Sequence, residues 1–168
     1  MKKNLKEYLL IETINIYAWY NQLTEEKLNK IDFKIRWALK RFISQIAPDV
    51  QEFEKMRDDE VRKIQSNYIS DEKSEEVVEN VKDADGNDVL DENGNVQTTT
   101  LRKIRPEFMD EYNKEIDQLN AKINEILAEK NSYEYNTADI DAFVDSLDEL
   151  EPLTFNDLEI MQGILGEA

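Results

Sequence analysis

Residues 33–68 read FKIRWALKRFISQIAPDVQEFEKMRDDEVRKIQSNY, and this stretch decides the fold. Ile35, Leu39, Phe42, Ile46, Val50 and Phe53 recur every three or four positions, the period of one face of an α-helix. The stripe slips through Met56 and resumes at Val61, Ile64 and Tyr68. Pro48 lies inside it. Proline removes one helical hydrogen bond and clashes with the carbonyl four residues back, so a kink or break is expected there. Unbroken, residues 30–68 would make a rod of about 58 Å. Upstream, Thr24 followed by Glu25, Glu26 and Lys27 forms an N-cap with acids in the first turn, so the helix restarts there.

Further upstream, residues 5–23 (LKEYLLIETINIYAWYNQL) are apolar almost all round. Leu5, Leu9, Ile16, Trp19, Tyr20 and Leu23 give a rough helical stripe, which predicts a buried or partner-covered helix. Downstream, residues 71–105 change character. Two short β-prone runs, Glu76–Val81 and Thr98–Ile104, flank the turn signals Asp85-Gly86-Asn87 and Asn93-Gly94-Asn95. They predict a β-ribbon inserted between helices. Pro106 then opens a third helix, with Phe108, Tyr112, Ile116, Leu119, Ile123 and Ile126 on one face. An antiparallel partner, the second half of the 30–68 helix, is the expected cover. Ser132–Tyr135 is a short extended candidate. Thr137 is expected to cap one short helix, and Thr154 with Asp157 forms a capping box for another. No internal repeat stands out. The expected fold is mainly α: one domain over 1–168, helical over 1–70, with a β-ribbon over 71–105 and helices over 106–168. An antiparallel long-helix arm would carry a head of short helices.

The chain has 168 residues, 38 acidic and 21 basic, for a net charge of −17. It contains no cysteine and no histidine. Disulfides, thiolate metal sites, cysteine nucleophiles and histidine-dependent triads are therefore excluded. No apolar run approaches the ~20 residues of a membrane span. Lys2 and Lys3 are followed by a charged stretch without a small-residue cleavage site, so no signal peptide is expected. Charge is uneven: residues 1–70 carry 13 basic and 11 acidic groups, residues 71–168 carry 8 and 27. After Lys130 no basic residue occurs.

Four constellations bear on chemistry. The segment Asp83–Asp88 suggests a calcium loop, but glycine and glutamate do not fall at the positions an EF-hand requires, and solvated turn residues explain it. Glu76-x-x-Glu79 and Glu107-x-x-Asp110 resemble the paired carboxylates of helical, magnesium-dependent nucleotide pyrophosphohydrolases. The first pair lies in a β-prone run, however, where residues three apart face opposite ways. The acidic C-terminal part could imitate a nucleic-acid strand toward a basic cleft, or simply keep the chain solvated. Last, Lys27, Lys30, Lys34, Arg36, Lys40 and Arg41 cluster around Trp37, with Tyr17, Trp19 and Tyr20 upstream. Basic groups beside aromatic faces can hold a nucleotide, phosphate on cation and base on indole. The alternative is that the aromatics are core and the lysines snorkel to water. The candidate ligand-binding residues are Trp19, Lys34, Arg36, Trp37 and Arg41.

Four stretches in order carry a resemblance: FKIRWALKRF leading into EFEKMRDDEVRKIQSNY, DADGNDVLDENGNV, FMDEYNKEIDQL, and DIDAFVDSLDELEPLTFNDLEIMQGIL. Together they resemble an uncharacterised family of small phage and prophage proteins from Gram-positive bacteria. They span roughly residues 30–165; the aromatic-rich segment 8–20 is not part of the likeness. The resemblance implies phage origin and action in a bacterial host cytoplasm, and it carries over no catalytic residue. The expectation is a non-enzymatic binding protein without cofactor or metal. It would be a counter-defence factor that inhibits a host immune protein or sequesters its nucleotide signal. A homo-oligomer is expected, with no membrane and no direct nucleic-acid binding. A virion-assembly or tail chaperone is the second expectation, and the pyrophosphohydrolase the third.

Overall fold

A computed structural model describes residues 4–166; Lys2 and Lys3 lie outside them. The order of elements is β1 (Asn4–Leu9), α1 (Leu10–Gln22), α2 (Glu25–Lys30), α3 (Phe33–Ser66), β2 (Ser74–Asn80), β3 (Thr98–Ile104), α4 (Pro106–Leu127), β4 (Lys130–Tyr135), α5 (Ile140–Asp145) and α6 (Phe155–Leu165). Among the described residues helices account for 56% and strands for 18%, in two small antiparallel sheets. The fold is therefore an α+β mix, which corrects the mainly α expectation of helices with a single hairpin.

The correction begins at residues 4–9. They form β1, which pairs antiparallel with β4 from Asn4↔Tyr135 to Leu9↔Lys130. Tyr8 faces the core while Leu5 and Glu7 face outward, so period two prevails over the helical stripe read through Leu5 and Leu9. The helix starts only at Leu10, where the Glu12 carboxylate accepts the Leu9 N–H at 2.7 Å. Pro48 does not break α3, which runs through it as one helix.

The chain forms two compact units, Met1–Met56 with Ile123–Ala168, and Arg57–Lys122. In the first, Leu39, Phe42, Ile46 and Val50 are fully buried on one face of α3. The Tyr8 and Tyr133 rings of the β1–β4 ladder meet Phe42 at 5.4 and 6.1 Å. Gln45 holds the other edge of β4: its side-chain amide donates to the Glu134 carbonyl at 2.8 Å and accepts the Glu134 N–H at 3.0 Å. Met161, Ile164 and Leu165 of α6 complete the core. Thr154 and Asp157 form the capping box of α6, whereas α5 is capped by Asp139, not Thr137: the Asp139 carboxylate accepts the Ala142 N–H at 2.9 Å.

In the second unit, Tyr68 is buried edge-on against Tyr112, with ring centroids 5.3 Å apart, and its hydroxyl donates to Glu115 at 2.8 Å. β2 and β3 pair from Ser74↔Ile104 to Asn80↔Thr98. Beyond them the chain does repeat, contrary to the sequence expectation. Val81–Asp88 and Val89–Val96 share Val, Asp, Gly and Asn at matching positions, and each folds into the same small turn. The leading carboxylate, Asp83 or Asp91, accepts the backbone N–H groups two and four residues on. Those N–H groups hold both carboxyls below their ordinary range. Gly86 and Gly94 sit at φ 85° and 80°, where side-chain-bearing residues are strained. A cycle of three backbone bonds closes the motif: Val81 N–H to Gln97, Gln97 N–H to Val89, and Val89 N–H to Val81, each 2.8 Å.

Candidate functional site

The first three turns of α3 are chemically sorted. Successive helical positions turn 100°, so Phe33, Lys34, Trp37, Lys40, Arg41 and Ser44 share about a third of the circumference. All six are exposed. Between Phe33 and Pro48 there is no acidic residue, in a chain of charge −17. The opposite side of the same turns is core. Asp32 caps the helix, its carboxylate accepting the Lys34 N–H at 2.8 Å.

A cleft of about 460 Å³ opens where this exposed face meets the segment 136–146. Ile35, Ala38, Ala142 and Phe143 supply apolar walls; Lys34 and Trp37 stand on one side, Asn136 and Thr137 on the other. Its size lies within the range of small-molecule sites. Trp37 is 54% exposed, so its indole is not core. Asp32 and Asp139 also line the cleft. Each has one oxygen engaged in capping a helix. The remaining acceptor capacity suits an amine or hydroxyl, and repels an anion placed deep inside. Phosphate is favoured outside, against Lys34 and Arg41, with an aromatic ring inside against Trp37.

The five residues singled out from sequence fall into two groups. Lys34 and Trp37 line the cleft, and Arg41 lies one turn beyond Trp37 on the same exposed face. Trp19 and Arg36 do not line it. Trp19 packs against the core and donates its indole N–H to Asp157 at 2.9 Å. Arg36 points about 200° round the helix from Lys34; its Nε is buried and has no hydrogen-bond partner among the described residues. Phe33, 69% exposed, was not among the candidates. Its spacing of four from Trp37 is the signal that points to it.

The paired-carboxylate motif does not assemble as two facing helices. Glu76 and Glu79 lie on β2, Glu79 ion-paired with Lys103 and Glu76 3.7 Å from Arg102; Glu107 and Asp110 lie on α4. Among the described residues no three His, Cys, Asp or Glu side chains are grouped to hold a metal ion. Nor is any helix among them long and apolar enough to cross a membrane. A second recess, about 470 Å³, adjoins Asp139, Asp141 and Gln162 and has neither cation nor aromatic ring in its lining. The chain matches no protein-family model, no curated protein and no solved structure.

Proposed function

We propose that this is a phage-type binding protein that works without catalysis in the host cytoplasm, as a counter-defence factor capturing a nucleotide-class signal. The observation that carries the reading is the exposed Trp37 indole beside Lys34 at an apolar-walled cleft of about 460 Å³. A base can stack on Trp37 while a phosphate meets Lys34 and Arg41. Its test is calorimetric titration with AMP and UMP. Base stacking on an aromatic contributes ~1–3 kcal/mol, so Trp37→Ala should weaken binding by roughly 5- to 150-fold. Lys34→Ala should weaken it less and reduce its salt dependence. Both side chains are exposed, so thermal stability should hold. A wild-type protein that binds neither nucleotide removes the reading.

Capture of a protein is favoured by a different feature. The ribbon exposes Val78, Leu90 and Leu101, so a sticky assembly or immune partner could cover it. Co-purification with a tail or capsid protein, lost on Val78→Asp, would favour the assembly-chaperone role over nucleotide capture.

A further inference from the structure

The exposed face of α3 is larger than one nucleotide needs. Trp37 forms the wall of the cleft, and Phe33 stands one turn earlier, on the side of Trp37 away from it. The two positions are about 6 Å apart along the helix. Phe33 is the first residue of α3 and is 69% exposed, although burial would stabilise a phenylalanine. Lys40 and Arg41 both lie about one turn beyond Trp37, Lys40 on the flank that Phe33 shares and Arg41 on the flank toward the cleft. The face thus sets two exposed rings one turn apart, with a cation on either flank of Trp37, and carries no acid. The rest of the chain is strongly anionic, so the sorting of charge here is specific to the face.

We infer that the ligand of this site is a dinucleotide-class molecule, with one base in the cleft against Trp37, the next on Phe33, and its phosphates across Lys34, Lys40 and Arg41. The inference rests on the nucleotide reading of the cleft and adds its second half. A mononucleotide leaves Phe33 without a role. A dinucleotide with unstacked bases spans the one turn between the two rings, and its phosphates reach toward the cations that flank Trp37. Asp32 and Asp139 keep the polyanionic part outside the cleft and leave acceptors for the amine or ribose hydroxyls of the inner nucleoside.

The deciding experiment titrates the full chain with AMP and with the dinucleotide pApA. The expected result is that pApA binds at least tenfold more tightly than AMP. Phe33→Ala should bring pApA down to the level of AMP and leave AMP itself unchanged, while Phe33→Tyr, which keeps a ring, should retain the difference. Lys40→Ala should weaken pApA more than AMP. Equal affinity for the two probes, with Phe33→Ala silent, overturns the dinucleotide inference and leaves the cleft reading standing. Failure of both probes overturns the two together. Displacement of pApA by an equal concentration of polyglutamate would reassign the face to an acidic protein segment and also overturn it.

Discussion

Asp157 is the most heavily engaged carboxylate of the first unit. It is 3% exposed and accepts the Trp19 indole N–H at 2.9 Å, the Lys27 ammonium at 2.8 Å, and the Thr154 backbone N–H and hydroxyl at 2.8 Å each. Burial pushes its pKa up, but the Lys27, Trp19 and Thr154 donors together outweigh burial and bring it to about 2. A depressed folded-state pKa adds stability above the ordinary carboxylate value and loses it as pH falls toward the folded one. The gap between 3.8 and about 2 corresponds to roughly 2 kcal/mol. Asp157→Asn should therefore lower stability by about that amount at pH 7. The difference from wild type should shrink between pH 4 and pH 2. Thermal melts of both proteins across that window test this; a difference that stays constant would show that charge is not what the network uses. The sequence showed only the local part of this arrangement. Thr154 and Asp157 are three residues apart and read as a capping box. Trp19 and Lys27 lie more than a hundred residues away in sequence, and no spacing rule connects them to Asp157. Sequence alone places Trp19 at the ligand, whereas in the structure its indole N–H is held by Asp157.

At the scale of elements, local signals and long-range pairing part company. The α3 stripe, the capped α6 and the glycine turns are each set by residues a few positions apart, and the sequence carried them. The β1–β4 ladder joins residues more than a hundred positions apart, and its two short strands hold Lys, Glu and Asn among their tyrosines. Ser132–Tyr135 reads as extended and lies in β4, but nothing local marks β1 or its pairing, and the apolar run that follows β1 extends the helix reading backward. In sequence the tandem turns read singly, as two hairpin signals. Their equivalence lies in hydrogen bonds from Asp83 and Asp91, and two eight-residue copies are too short for repetition to stand out. That equivalence is testable. A Cβ added to Gly86 or Gly94 meets nothing within 4 Å, so the cost of alanine there is purely backbone strain. Left-handed backbone costs a non-glycine residue ~1–2 kcal/mol. Gly86→Ala and Gly94→Ala should each lower ribbon stability by that amount and by nearly equal steps, with Asn at either site losing less. Hydrogen exchange at the Val89 and Gln97 amides, which close the backbone cycle, measures it; protection unchanged in both variants would show that the cycle does not depend on its glycines.

The whole molecule sets two electrostatic effects against each other. Its net charge of −17 makes the folded chain repel itself, and that repulsion is long-ranged. Raising salt from 0.1 M to 1 M shortens the screening length from about 10 Å to about 3 Å, so it should relieve the repulsion. A gain on the order of 1 kcal/mol corresponds to about 2–4 °C in Tm for a chain of this size. The candidate site has the opposite local sign, because Lys34, Lys40 and Arg41 sit on a face without acids. Nucleotide affinity should fall over the same range, because screening weakens each contact between a cation and a phosphate. One salt series, read by thermal melts and by AMP titration, therefore separates the charge of the chain from the charge of the face. A Tm that rises while affinity falls is the expected pair. Affinity that rises with salt would mean that the global −17 governs the approach of the ligand, and the cations of α3 would then have no part in holding it. Composition alone predicts only the first trend, since a sum over the chain erases the sorting along α3. Seeing the second requires knowing which side of the helix is buried. The stripe from Ile35 to Phe53 carried that information, and it is the buried stripe that leaves Phe33, Trp37 and the three cations together on the outside.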